Sequence, residues 1–192
     1  MTDIIHKPRA VLGCDPSLGG FAYALAINGE VTLERRIKSK PAESVRGRID
    51  RYIGIVRQIV EDVRGCEIGT CMIEGYSFGS PKAGGRGAID RAELGGILRL
   101  KLLPHCGEII EVPPTTLKKF ACGRGNADKS EVVSALARRF DRHFTTDDQA
   151  DAFGLVEMAL CFSGWREPVN KAQAEVIANM RKKILAEADA AE

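Results

Sequence analysis

Apolar and polar residues change period several times along the chain, and each change marks an element. Ala10-Val11-Leu12 is an apolar run that reads as the end of a buried strand and stops at Asp15. Pro16-Ser17 and Gly19-Gly20 then force a tight turn. Phe21–Asn28 and Glu30–Ile37 read as two more strands joined at Asn28-Gly29, which makes the first three an antiparallel meander. Pro41 opens a helix to about Arg64. Within it Val45, Ile49, Tyr52, Ile53, Val56, Ile59, Val60 and Val63 share one apolar face, and Gly65 stops it. Ile68–Ile73 has no helical period and reads as a fourth strand ending at Glu74.

The second half is mostly helical. Gly75–Gly87 holds five glycines and a proline, so it is a loop. A helix from about Ala88 to Leu103 carries Leu94, Ile97, Leu98 and Leu102 on one side. Gly95-Gly96 in its middle is costly. The pair marks either the close approach of another helix or subunit, or ordinary helix–strand packing. Glu108–Val112 is a fifth strand, ended by Pro113-Pro114, and a short helix follows over Thr115–Phe120. Cys122–Ala127 is a second glycine loop, and Asp128 caps a helix to Arg139 or Phe140. Thr145–Phe162 is another helix, capped by Thr145 or Thr146. Glu167–Glu192 is a polar, alanine-rich terminal helix with a thin stripe at Ile177, Met180 and Ile184. The order β-β-β-α-β-α-β-α-α-α predicts an α/β fold, a mixed sheet with helices on its faces.

Composition narrows this modestly. The 192 residues suffice for one real core, placed at 1–165 with 166–192 as a C-terminal helical tail. No apolar run approaches membrane-spanning length and the N-terminus is too polar for a signal peptide, so a cytoplasmic protein is expected. The six cysteines form no C-x-x-C pair and do not cluster with the three histidines, which argues against structural zinc and for reduced thiols. Net charge is only +2, but the basic residues are grouped. Lys82, Arg86 and Arg91 flank one glycine-rich segment; Lys118, Lys119, Arg124 and Lys129 flank the other.

The acids carry the chemistry. Asp15 and Glu74 end strands, where ligands of open α/β sheets bind. Asp148 and Asp151, three apart, share a face at the start of an apolar helix. Capping and the helix dipole account for Asp147 and Asp148 but less well for Asp151, a turn further in. Taken alone, Asp15 also fits a plain hairpin turn. Four converging carboxylates repel in a low-dielectric cleft unless divalent cations neutralise them, and hard oxygen donors suit magnesium or manganese. Two such ions ~3.5–4 Å apart support in-line phosphoryl displacement. A metal-dependent nuclease is the sharp expectation.

Four motifs in order resemble the RuvC family of Holliday-junction resolvases. They are Asp15-Pro16-Ser17-Leu18-Gly19-Gly20, Ile73-Glu74, Gly123–Ser130 (GRGNADKS) and Asp148-Gln149-Ala150-Asp151-Ala152. Val112–Lys119 (VPPTTLKK) looks like the phage and prophage branch. The resemblance spans about Ala10 to Leu160. It implies an RNase H-like fold: a five-stranded mixed sheet, the first three strands antiparallel, with helices on both faces. It also implies that Asp15, Glu74, Asp148 and Asp151 ligate two Mg²⁺ (or Mn²⁺) ions per site. By the same resemblance Lys118 or Lys119, and Lys129, lie near the scissile phosphate, and Lys129 is a catalytic candidate because it opens a helix behind a glycine loop.

The family acts as a homodimer on four-way junctions, and Ala88–Leu103 is the expected dimer helix. Tyr76 or Phe78 would stack on junction bases. Lys82, Arg86, Lys118, Lys119, Arg124 and Lys129 complete the expected DNA contacts. The implied setting is the cytoplasm of a bacterium or a phage-infected host. The implied activity is paired symmetric nicking that leaves 5′-phosphate and 3′-hydroxyl ends. Competing readings are an RNase H-like nuclease for other branched DNA or structured RNA, and a non-catalytic junction-binding protein.

Overall fold

The computed structural model of the chain describes residues 9–75 and 86–190. Five strands form one sheet: β1 (Arg9–Asp15), β2 (Phe21–Ile27), β3 (Glu30–Ile37), β4 (Glu67–Glu74) and β5 (Cys106–Val112). Their spatial order is β3-β2-β1-β4-β5. β1, β2 and β3 pair antiparallel, whereas β4 pairs parallel with both β1 and β5. This is the expected mixed sheet. Asn28 and Gly29 turn the β2–β3 hairpin with φ of 51° and 91°, the left-handed pair that a two-residue turn requires.

The helices are α1 (Val45–Asp62), α2 (Arg86–Leu102), α3 (Pro114–Cys122), α4 (Lys129–Phe140), α5 (Asp147–Phe162) and α6 (Lys171–Asp189). They divide between the two faces of the sheet. Alternate residues of a strand point to opposite faces. Leu12 and Cys14 join Phe21, Tyr23 and Leu25 against α1 and α2, while Val11, Ala24 and Met72 face α3 to α6.

The boundaries depart from expectation where local hydrogen bonding decides. α1 starts at Val45, not Pro41, because the Ser44 side chain caps it by accepting from the Gly47 amide at 3.1 Å. Its buried line is Tyr52, Ile55, Val56 and Ile59, so Ile55 replaces Val45, which is exposed. β5 begins two residues early, after a 3₁₀ turn at Leu103–His105. The tail starts at Lys171 under an Asn170 cap, and Val176 and Ile177 join the main core with Met180 and Ile184 packed against it. All six cysteines are free. Among the described residues no helix is long and apolar enough to cross a membrane.

α5 is the central helix. Every residue from Ala150 to Cys161 is buried. It crosses β1 at Gly13, where a Cβ would stand 2.4 Å from the Val156 nitrogen and 2.5 Å from the Ala152 oxygen. Only glycine lets two backbones meet this closely. That crossing sets the acidic end of α5 beside the end of β1.

Candidate active site

Asp15 ends β1 and Glu74 ends the parallel neighbour β4. Cys14 pairs with Ile73, so the two acids stand side by side at one sheet edge. Both project to the α5 side, as Gly13 and Met72 do two residues earlier. α5 begins over that edge. Thr146, rather than Thr145, caps it by accepting from the Gln149 amide at 3.3 Å, and this fixes the first turn. Asp148 and Asp151 then lie inward, 8% and 9% exposed, among apolar positions. Asp147 points away and accepts from Lys129 Nζ at 2.5 Å.

A cleft of about 410 Å³ opens at this edge. Asp15, Glu74 and Asp151 line it, together with Lys118, Lys129 and Arg91. Asp148 does not line it. Its Oδ2 accepts two bonds from Arg36, 3.0 Å from Nε and 2.9 Å from Nη2. Among the described residues no three acidic, histidine or cysteine side chains close into a cage for a metal ion. The cleft instead offers three carboxylates on an open wall, with the fourth held aside.

The charges behave as crowded carboxylates must. Burial pushes the Asp15 carboxyl well above its usual range, and the negative charges of Glu74, Asp151 and Asp148 push further; Asp15 and Glu74 also hydrogen-bond. Burial raises Glu74, with Lys129 and Lys118 pulling back. Asp151 is pushed up to about 7, by burial first and Glu74 next, against the pull of Lys129. Acids that prefer protons to mutual repulsion favour a compact cation in their place. An all-oxygen donor set suits Mg²⁺ or Mn²⁺. The donor type is therefore the one hard divalent cations take, although among the described residues the side chains are not drawn together into a cage.

The expected DNA-binding residues divide. Lys118 and Lys129 face the cleft. Lys119 turns to the other side of α3 and binds Glu175 of α6 at 2.7 Å. Arg124 pairs with Glu131, whose carboxylate also completes the capping box with Asp128. Tyr76, Phe78 and Lys82 lie outside the described residues, as does the Arg86 side chain. Arg36 carried no sequence signal beyond two arginines in an otherwise ordinary edge strand, and it was missed. Arg91, grouped from sequence with the basic residues flanking the first glycine-rich segment but not among the expected DNA contacts, lines the cleft as well.

An RNase H-like sheet with an acidic cleft at the β1/β4 edge defines the class: a RuvC-like α/β fold. The comparisons agree. No family model matches the chain. Crossover junction endodeoxyribonuclease RuvC of Prochlorococcus marinus is 27% identical over 152 residues, covering 76% of this chain and 94% of that protein. Its namesake from Synechococcus sp. strain CC9311 is 29% identical over 170 residues, covering 81% and 97%. Thermus thermophilus RuvC superposes with a TM-score of 0.62 at 18% identity, covering 83% of this chain and 99% of that one. The T. thermophilus RuvC complex with a Holliday junction substrate superposes with a TM-score of 0.60, covering 77% and 90%. Sequence and fold both bear out the resemblance to RuvC.

Proposed function

We propose that this chain is an endonuclease that resolves four-way (Holliday) junctions in DNA by paired symmetric nicks, leaving 5′-phosphate and 3′-hydroxyl ends. The observation that carries the reading is the cleft where Asp15, Glu74 and Asp151 meet Lys118 and Lys129. The RuvC relatives matched along nearly their whole length support it. Magnesium or manganese, two ions per site, held by Asp15, Glu74, Asp151 and finally Asp148, would supply Lewis acidity for in-line phosphodiester hydrolysis.

The chain's own groups do the rest. Lys129 and Lys118 attract a phosphodiester into a wall that would otherwise repel it. Asp147 holds the Lys129 ammonium in place and raises its pKa, so it stays charged through catalysis. Its ammonium is then available to stabilise charge that develops on the phosphate oxygens.

A homodimer suits a two-fold junction. Helix α2 buries Leu94, Leu98 and Leu102 against the sheet and leaves Ile89, Gly96 and Leu100 outward, with Leu103 just beyond its end. That exposed stripe is the surface we assign to the partner copy. In this reading the protein works in the cytoplasm of a bacterial or phage-infected cell. The test incubates the purified chain with a labelled immobile junction and with matching duplex, with and without Mg²⁺. Symmetric Mg²⁺-dependent nicks confined to the junction are expected. Equal cutting of both DNAs refutes junction selectivity, and tight binding without cutting refutes catalysis.

A further inference from the structure

We infer that Arg36 is a positioning residue: the built-in counter-ion of Asp148, holding that carboxylate out of the cleft until a divalent cation displaces the guanidinium. The inference rests on the reading of the cleft as a metal site.

Arg36 is the penultimate residue of the edge strand β3. It sits 112 residues from Asp148 in sequence, yet two of its nitrogens reach one carboxylate oxygen. The route exists because its neighbours are small. Ala22 lies opposite on β2. At Gly20 a Cβ would stand 2.1 Å from Nη2 and 2.3 Å from Cζ, inside the guanidinium. Gly20, part of the tight turn after β1, is the doorway for this arginine. Both side chains are largely shielded, Arg36 at 22% and Asp148 at 11% exposure. Hydrogen bonds between two charged groups are about twice as strong as neutral ones.

The pairing answers a specific problem. Asp15, Glu74 and Asp151 line one cleft, and Asp148 stands one turn before Asp151 at the start of α5. Without a cation, Lys118 and Lys129 face the three acids that line the cleft, and Arg36 supplies the counter-charge for the fourth, Asp148. With a cation the same guanidinium becomes a competitor for Asp148. Removing it therefore has two effects of opposite sign. The metal-free fold weakens and the affinity for metal rises. A purely structural arginine would lower both.

The experiment uses the full chain with Arg36→Met, Arg36→Lys and Gly20→Ala. Mn²⁺ affinity and the number of ions per chain are read from the electron paramagnetic resonance of free Mn²⁺. Melting is recorded in chelator and in Mg²⁺. Arg36→Met is expected to bind Mn²⁺ about tenfold tighter, the scale of losing one charge-assisted hydrogen bond to a competitor. Its melting point falls in chelator, and Mg²⁺ restores the loss. Gly20→Ala keeps the arginine but crowds its guanidinium off Asp148, so it reproduces the tighter binding even should Arg36→Met fail to fold. Arg36→Lys falls between. Unchanged or weaker Mn²⁺ binding in both Arg36→Met and Gly20→Ala overturns the inference. These readouts are metal binding and melting, so a wild-type chain that binds Mn²⁺ yet fails to cut junctions in the separate cleavage assay refutes the proposed function and leaves this inference standing.

Discussion

Gly13→Ala tests the contact that assembles the acidic edge. A Cβ at this position meets the Val156 nitrogen at 2.4 Å, the Ala152 oxygen at 2.5 Å and the Leu155 carbonyl carbon at 2.9 Å. All three are backbone atoms, so no side-chain rotation relieves the clash. Reaching an ordinary contact near 3.4 Å requires β1 and α5 to part by about 1 Å. Overpacking a core costs about 1–3 kcal/mol, and a contact with rigid backbone belongs at the upper end. At ~2–4 °C per kcal/mol for a chain of this size, ~3 kcal/mol lowers the melting point by about 6–12 °C. The same displacement carries Asp148 and Asp151 away from Asp15. A misplacement of ~1 Å in an active site costs about 100-fold in rate. The assay pairs thermal unfolding with junction cleavage and uses Gly19→Ala as control, since nothing lies within 4 Å of a Cβ there. A Gly13→Ala protein that melts within about 2 °C of wild type and cuts normally would refute the argument that this crossing positions the site.

Further outcomes follow from the charges. Asp151→Asn reduces junction cleavage by about 10²–10³-fold, the scale of losing one electrostatic element of an active site, while gel-shift binding to the junction in chelator persists. Asp151, raised from 3.8 to about 7 in the fold, makes the metal-free protein lose stability as pH rises from near 4 to near 7, because the unfolded chain ionises first. Asp151→Asn therefore raises the melting point in chelator at pH 8 and changes it little at pH 4. A stabilisation that is equal at both values would contradict this. Glu157 is 1% exposed, and both its oxygens accept from Arg166 Nη1 at 2.5 Å. Arg166→Ala leaves that buried carboxylate unpaired and costs ~3 kcal/mol in denaturant titration; the Glu157→Gln/Arg166→Met pair recovers most of it.

Much of the architecture was legible because the sheet and its helices follow from simple periods. The alternation and the Asn28-Gly29 turn gave the meander, and Asp128 with Glu131 announced the start of α4. α1 shows where such reading stops. Val45 fits the apolar stripe by spacing but is the first residue of α1, and the same residue type that packs at Val56 is left in solvent there. Periodicity says which face is apolar and not how far the neighbouring surface extends.

The site divides along the same line. The placement of Asp15 and Glu74 at strand ends, and of Asp151 one turn into α5, was legible because the pattern fixes where those elements begin and end. The basic residues were less so, since adjacent lysines on a helix differ by a rotation of 100° that sequence does not anchor. In α3 the anchor is Leu117 and Phe120, both buried, which turn Lys118 to the cleft and leave Lys119 for Glu175. That distinction has a measurable consequence. Lys118→Ala removes a positive charge from the cleft wall, so it weakens binding of the scissile phosphate and lowers cleavage. Lys119→Ala breaks only a half-exposed ion pair with the tail, worth about 0–1 kcal/mol, and leaves the cleft as it was. Equal loss of cleavage in the two variants would mean that phosphate approaches across the outer face of α3, and the cleft assignment of Lys118 would fall with it.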